Sequence, residues 1–169
     1  VEIRSVDEFL RYFDNVRRRT RAVVESIPEE RLDWAPAEGR FTPGDLVRHI
    51  AATERWMWAE NVQGRPSRYP GHGPELARTK TEVLELLDRL HADSVEIISR
   101  LTPEQLSAKC ATVGGIDITV WKWLRLMIEH EIHHRGQLYE MLGRIGVETP
   151  PLYGLREPEV KARSEPLDG

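Results

Sequence analysis

Cysteine is nearly missing from this sequence of 169 residues, in which Cys110 stands alone. A lone cysteine rules out an intramolecular disulfide framework and is compatible with a reducing compartment. The run Ser107-Ala108-Lys109-Cys110-Ala111 also offers neither a histidine nor a helix start to lower the thiol pKa, so Cys110 reads as inert. An excess of positive charge is lacking too. Lysine and arginine number 24 against 28 acidic residues, interspersed along most of the chain, for a formal net charge of −4. No basic face is left to hold nucleic acid. Nor does any uncharged apolar run approach the roughly 20 residues of a membrane span. The opening Val1-Glu2-Ile3-Arg4 passes straight into a charged amphipathic segment without an apolar secretory core. The expectation is a cytoplasmic protein with neither nucleic acid nor membrane as a partner.

What is present is helical periodicity, in an ordinary globular mixture of 40% hydrophobic and 31% charged residues. The length suits one domain with a real core. Ser5 and Glu8 form a candidate capping box ahead of a stripe comprising Val6, Phe9, Phe13, Val16, Thr20, Val23 and Ile27, which Pro28 stops. Thr42 and Pro43 offer the start of a second helix whose shared face is Leu46, His49, Ile50, Thr53 and Met57, fading near Gly64. Gly64 to Pro74 reads as a loop. Thr79 and Glu82 box the third helix, striped by Val83, Leu86, Leu87, Leu90, Ser94, Ile97, Ile98 and Leu101. A short helical turn follows at Thr102 to Gln105. Residues 111–118 predict either a small hairpin or an extended crossing.

The fourth helix is expected from Thr119 to Ile145, stopped by Gly146. Its inner face is Val120, Trp123, Leu124, Met127, His130, His134, Leu138, Met141 and Ile145. Four amphipathic helices with one stripe each bury those stripes against one another, so the fold class is all-α, a four-helix bundle. The bundle domain spans residues 1–154. The charged, proline-containing segment 155–169 reads as a loosely ordered tail.

Six histidines occur, and His49, His130 and His134 fall on faces that a bundle should make apolar. Positions four apart on a helix sit about 40° apart around it and about 6 Å apart along it, so His130 and His134 can reach one ion. Two imidazoles alone bind weakly, and His49, mid-stripe on another helix, is the candidate third ligand. Buried as packing, each of these rings would need its nitrogens satisfied among Leu, Ile and Met, whereas one shared divalent ion engages all of their lone pairs. Glu131 and His133 flank the pair at about 80° to either side, and Gln137 lies one turn beyond His133. These are candidate groups to orient a ligand or carry a proton. His72 reads as a loop residue and His91 as a solvent-facing one, without a role.

His130-Glu131-Ile132-His133-His134 also matches H-E-x-x-H, in which the glutamate is the general base of a zinc peptidase. The extension toward a further histidine is missing, and no sheet is expected to bind a peptide strand. Peptidase is a minor reading. Trp56 and Trp123 are expected near the core, and Trp58 and Trp121 at a dimer face or the rim of a pocket.

Two segments together resemble the DinB (YfiT-like) metalloenzyme family: Thr42-Pro43-Gly44-Asp45-Leu46-Val47-Arg48-His49-Ile50-Ala51 and His130-Glu131-Ile132-His133-His134-Arg135-Gly136-Gln137. The closing Leu142 to Pro151 resembles the family's ending, so the likeness runs from about Val6 to Tyr153. The resemblance implies an up-down-down-up bundle with a long crossover between helices two and three. It also implies a metal site at His49, His130 and His134, a homodimer, and zinc, nickel, iron or manganese as the ion. Relatives with assigned activities include thiol S-transferases that use bacillithiol or mycothiol and a mycothiol-dependent maleylpyruvate isomerase. The functional expectation is therefore a metal-dependent enzyme activating a low-molecular-weight thiol or water, transferase-like or hydrolase-like, with a small-molecule substrate. A non-catalytic structural or sensory metal module is the alternative.

Overall fold

The computed structural model describes residues 2–165, and its helices begin where side chains can satisfy their first backbone donors. In α1 (Val6–Glu25) the Ser5 hydroxyl accepts from the Glu8 N–H at 3.3 Å, so one half of the expected box forms. The boxes of α2 (Pro43–Thr53) and α4 (Lys80–Ser99) are complete, built on Thr42 with Asp45 and on Thr79 with Glu82. Between them, α2 runs through one wide π turn, Glu54–Trp58, into α3 (Ala59–Asn61). After the short α5 (Pro103–Ser107), β1 (Lys109–Ala111) and β2 (Asp117–Thr119) pair antiparallel, with Cys110 opposite Ile118. The open choice at this segment thus resolves to a hairpin. Then α6 (Val120–Arg144) runs the length of the molecule until Gly146, at φ 73°, turns the chain away.

Packing fixes the topology. The N-terminal part of α1 shares an apolar cluster with the N-terminal part of α6: Phe9, Phe13 and Val16 pack with Leu124, Met127 and Ile128. Their C-terminal parts share another, where Val23, Val24 and Ile27 meet Leu138, Met141 and Leu142. α1 and α6 are therefore parallel. Leu46, Val47, Val83 and Leu87 join that second cluster from the starts of α2 and α4, so these two helices run the opposite way. The result is an up-down-down-up bundle with a long crossover from Val62 to Thr79.

A charged belt separates the two apolar clusters. Arg17 and Thr20 of α1, Glu54 of the π turn, Ser94 of α4, and Glu131 and Arg135 of α6 are all buried at mid-height. Arg17 bridges the Glu54 and Glu131 carboxylates, the latter at 3.1 Å. Glu131 accepts from the Thr20 hydroxyl at 2.6 Å, and Arg135 donates to the Val16 carbonyl at 3.1 Å.

Several expectations change. The buried face of α6 includes Ile128, Glu131, Arg135 and Leu142, while His130 and His134 lie at its edge. The π turn adds a residue to the helical repeat, which brings Trp58 into the core at 4% exposure and leaves Met57 only partly covered. Trp58 is thus not a rim residue. Trp121 is partly covered at the start of α6. In place of a loose tail, residues Glu157–Arg163 form a short helix, α7, none of whose side chains is buried. Residues 166–169 of that segment lie outside the described ones. No helix among the described residues is long and apolar enough to cross a membrane.

Candidate metal centre

His49 projects from the middle of α2 toward α6, and His130 and His134 project back from successive turns of α6. The Nε2 atom of His130 lies 3.1 Å from Nε2 of His49 and 3.0 Å from Nε2 of His134. All three candidate ligand atoms fall within 4.8 Å of one another. The sequence sets only His130 and His134 close together, and the fold brings His49 from 81 residues away to meet them.

Could hydrogen bonds alone account for the convergence? A neutral imidazole has one N–H. That of His134 is committed to Gln137, whose amide oxygen accepts from Nδ1 at 2.7 Å, so its Nε2 is a bare lone pair aimed at His130. At His49, Nδ1 meets the Tyr69 hydroxyl at 2.8 Å, and Nε2 faces His130. One N–H on His130 can serve only one of its two neighbours, and separations of 3.0 and 3.1 Å are close to the roughly 3.3 Å between neighbouring ligands of a tetrahedral ion at 2.0–2.1 Å. Protonation is suppressed as well. Burial, with the neighbouring histidines, lowers the pKa of His49 to about 4 and that of His130 to about 3, and burial lowers that of His134. The donor set fits a divalent ion with its remaining positions open.

The flanking candidates part company. Gln137 touches His134, one of the three candidate ligands, directly. His133 is exposed, its ring 5.0 Å from that of His134 and with no hydrogen bond to it. Glu131 points the other way, into the charged belt, with its carboxylate bonded to Thr20 and Arg17. A general base must face the reacting water, so Glu131 does not complete H-E-x-x-H chemistry and the peptidase reading falls. His91 is not solvent-facing. Its Nδ1 lies 3.1 Å from Glu54 and its ring packs edge-on against Phe13, with burial and Arg17 holding its pKa down at about 3.

Sequence reasoning missed the groups that hold this arrangement. Arg17 and Glu54 carry no motif, Arg135 entered only as part of the family-like segment without a role, and a charge beside an apolar stripe ordinarily signals a solvated edge. The one available signal is that Arg17 sits between Val16 and Thr20 on the buried face. Phe41 and Tyr69 come from loops and pack on the His49 ring at centroid distances of 5.6 Å each. Trp58 closes the opposite side, 4.7 Å from the His130 ring and 5.3 Å from that of Trp123. A cleft of about 570 Å³ opens beside the histidines and shares Phe41 and Gln137 with their surroundings. Arg40 and Glu140 are the charged residues on its walls.

Known proteins share this architecture. The family model described as the DinB superfamily matches residues 12–138. YjoA of Bacillus subtilis, an uncharacterised protein, is 27% identical over 152 residues, covering 89% of this chain and 97% of its own. Its crystal structure superposes with a TM-score of 0.68 over 86% of this chain and 96% of that one. A DinB-like protein of Bacillus cereus, 19% identical, gives a TM-score of 0.77 over 88% and 97% of the two chains. YfiT of Bacillus subtilis, described as a probable metal-dependent hydrolase with an unusual four-helix bundle topology, is 19% identical with a TM-score of 0.70 over 88% and 91%.

Proposed function

This chain belongs to the DinB superfamily, and from that premise we propose that it is a metal-dependent enzyme whose divalent ion is held by His49, His130 and His134. The convergence of three ring nitrogens within 4.8 Å carries the reading. The description of YfiT as a metal-dependent hydrolase supports it from outside this chain. Zinc, nickel, iron and copper all suit imidazole ligands, and manganese enters only through the family resemblance.

An ion bound there supplies a Lewis acid that brings the pKa of a water or a small thiol toward neutrality. The protein's own side chains do the rest. His49, His130 and His134 stay neutral at pH 7 because burial disfavours their charged forms. Gln137 fixes the His134 ring by accepting its Nδ1–H. Phe41 packs on the His49 ring and Trp58 on the His130 ring, which fixes their orientations. Hydrolase and thiol S-transferase are the two chemistries that follow, distinguished by whether water or thiol is consumed.

The experiment is elemental analysis of untagged protein and of His49→Ala, followed by assays of metal-loaded and stripped protein. The assays use ester and amide substrates and thiols paired with electrophiles. A stoichiometric ion lost in His49→Ala, with turnover that follows the ion, is the expected result. Wild-type protein that takes up no ion, or a variant that retains it, overturns the proposal. Neither apolar cluster draws on His49, His130 or His134, so stripping should abolish turnover and leave the helix content intact. Loss of helix on stripping would instead favour a structural site.

A further inference from the structure

The crossover loop reaches the same centre from outside. Tyr69 lies in it, and its hydroxyl stands 2.8 Å from Nδ1 of His49 and 2.9 Å from Nδ1 of His72. Phe41 packs across both imidazoles, 5.6 Å from His49 and 4.4 Å from His72 between centroids. The loop backbone is anchored by a buried residue: Arg48, 1% exposed, donates to the His72 carbonyl at 2.8 Å and to the Ala77 carbonyl at 2.9 Å. Arg48 lies next to His49 in α2, so adjacent residues hold the loop by its backbone and by the Tyr69 side chain.

Counting hydrogens gives the chain a direction. A His49 ring that ligates through Nε2 carries its only hydrogen on Nδ1, and must donate it to the Tyr69 oxygen. Tyr69 then has its single O–H left for Nδ1 of His72, whose own hydrogen is on Nε2. The reverse order would put the Tyr69 hydrogen on His49 Nδ1, and His49 Nε2 would then carry a hydrogen where the ion belongs. A ligand to His49 Nε2 therefore selects one of two hydrogen-bond orders; both hold the loop, but a cation on Nε2 polarises the Nδ1–H and strengthens the bond by which Tyr69 ties the loop to α2.

Resting on the metal reading above, we propose that Tyr69 and His72 are positioning residues for the metal centre, and that occupation of the centre fastens the crossover loop onto α2. Outer hydrogen bonds of this kind hold the ligand's tautomer and orientation, and their loss weakens metal affinity about ten- to a hundredfold. Arg68, exposed and followed by Tyr69, is a tryptic site inside the loop, so fastening has a readout that needs no substrate.

The test uses Zn(II) and Co(II) with the full chain. Affinity is measured by competition with a chromophoric chelator, and trypsin cleavage after Arg68 is timed with and without the ion. Tyr69→Phe should bind Zn(II) about ten- to a hundredfold more weakly, alter the Co(II) absorption bands, and lose the protection that the ion gives wild-type protein at Arg68. His72→Ala should weaken binding in the wild-type background and add nothing to Tyr69→Phe, because its effect passes through the hydroxyl. Circular dichroism checks that each variant is folded, and if Tyr69→Phe does not fold, His72→Ala alone decides. Near-wild-type affinity in Tyr69→Phe, ion-dependent protection that persists without the hydroxyl, or additive losses in the double variant would each overturn the inference. Wild-type protein that binds no ion would instead sink the metal reading itself.

Discussion

Replacing Glu131 by Gln separates the two parts that this residue could play. The carboxylate is 2% exposed, bonded to Thr20 and 3.1 Å from the Arg17 guanidinium. Glutamine keeps the shape and still accepts from Thr20, but it removes one of the two carboxylates that balance Arg17 and Arg135. At an effective dielectric of about 20, opposite unit charges 4 Å apart attract by about 4 kcal/mol. The variant also avoids desolvating a carboxylate, which returns part of that sum, and Glu54 still pairs with Arg17. The net loss should be about 3 kcal/mol, toward the lower end of what breaking a buried pair costs. For a chain of this size, that corresponds to a fall of about 6–12 °C in Tm. Urea unfolding followed by circular dichroism measures it, beside chelator competition for Zn(II). The reasoning requires lower stability with unchanged metal affinity. A variant as stable as wild type but catalytically dead would refute it and restore Glu131 as a general base.

Further predictions concern protons, light and thiols. In metal-stripped protein, His49, His91 and His130 have pKa values depressed to about 4, 3 and 3, below those of the unfolded chain. The unfolded state then binds more protons below about pH 6.5, so stability should fall as pH drops from there toward about 4, by at most about 1.4 kcal/mol per pH unit per histidine. Urea midpoints across that window test the slope, and His91→Leu should flatten it; an unchanged slope would assign the protons elsewhere. Trp58 lies 4.7 Å from the His130 ring, so Co(II) or Ni(II) should quench tryptophan fluorescence and Trp58→Phe should remove most of that quenching. Cys110 is buried, and burial pushes its thiol pKa up; a disulfide reagent should label it only on unfolding, and rapid labelling of native protein would contradict the packing.

How much of this could be read in advance depended on local physics. Caps announce themselves, because a Thr three residues before an Asp or Glu satisfies backbone donors wherever it sits, and Thr42 and Thr79 both do so. Histidines at i and i+4 are equally local, and the pairing of His130 with His134 needs only helical geometry. The bearing of α6 was harder to see. The expected face ran through His130 and His134, yet Glu131 and Arg135 are the buried pair, since each finds its partners on α1, more than a hundred residues away in sequence. No periodicity counts a glutamate as interior until its arginine is known. The π turn was similarly invisible, because an inserted residue changes phase without changing composition, and that shift carried Trp58 inward. Tyr69 and His72 lay in a segment legible only as a loop.

The belt of Arg17, Glu54, Glu131 and Arg135 also governs sliding. If α6 slipped one turn along α1, about 5.4 Å, Glu131 would meet hydrocarbon instead of Thr20 and Arg17, and an unpaired buried charge costs several kcal/mol. Leucine against leucine would scarcely object to such a slip. Ionic bonds thus act as an axial stop for helices whose greasy surfaces tolerate many alignments. His130, next to Glu131, and His49, one turn before Thr53 and Glu54, are kept level with each other by charges that never touch them.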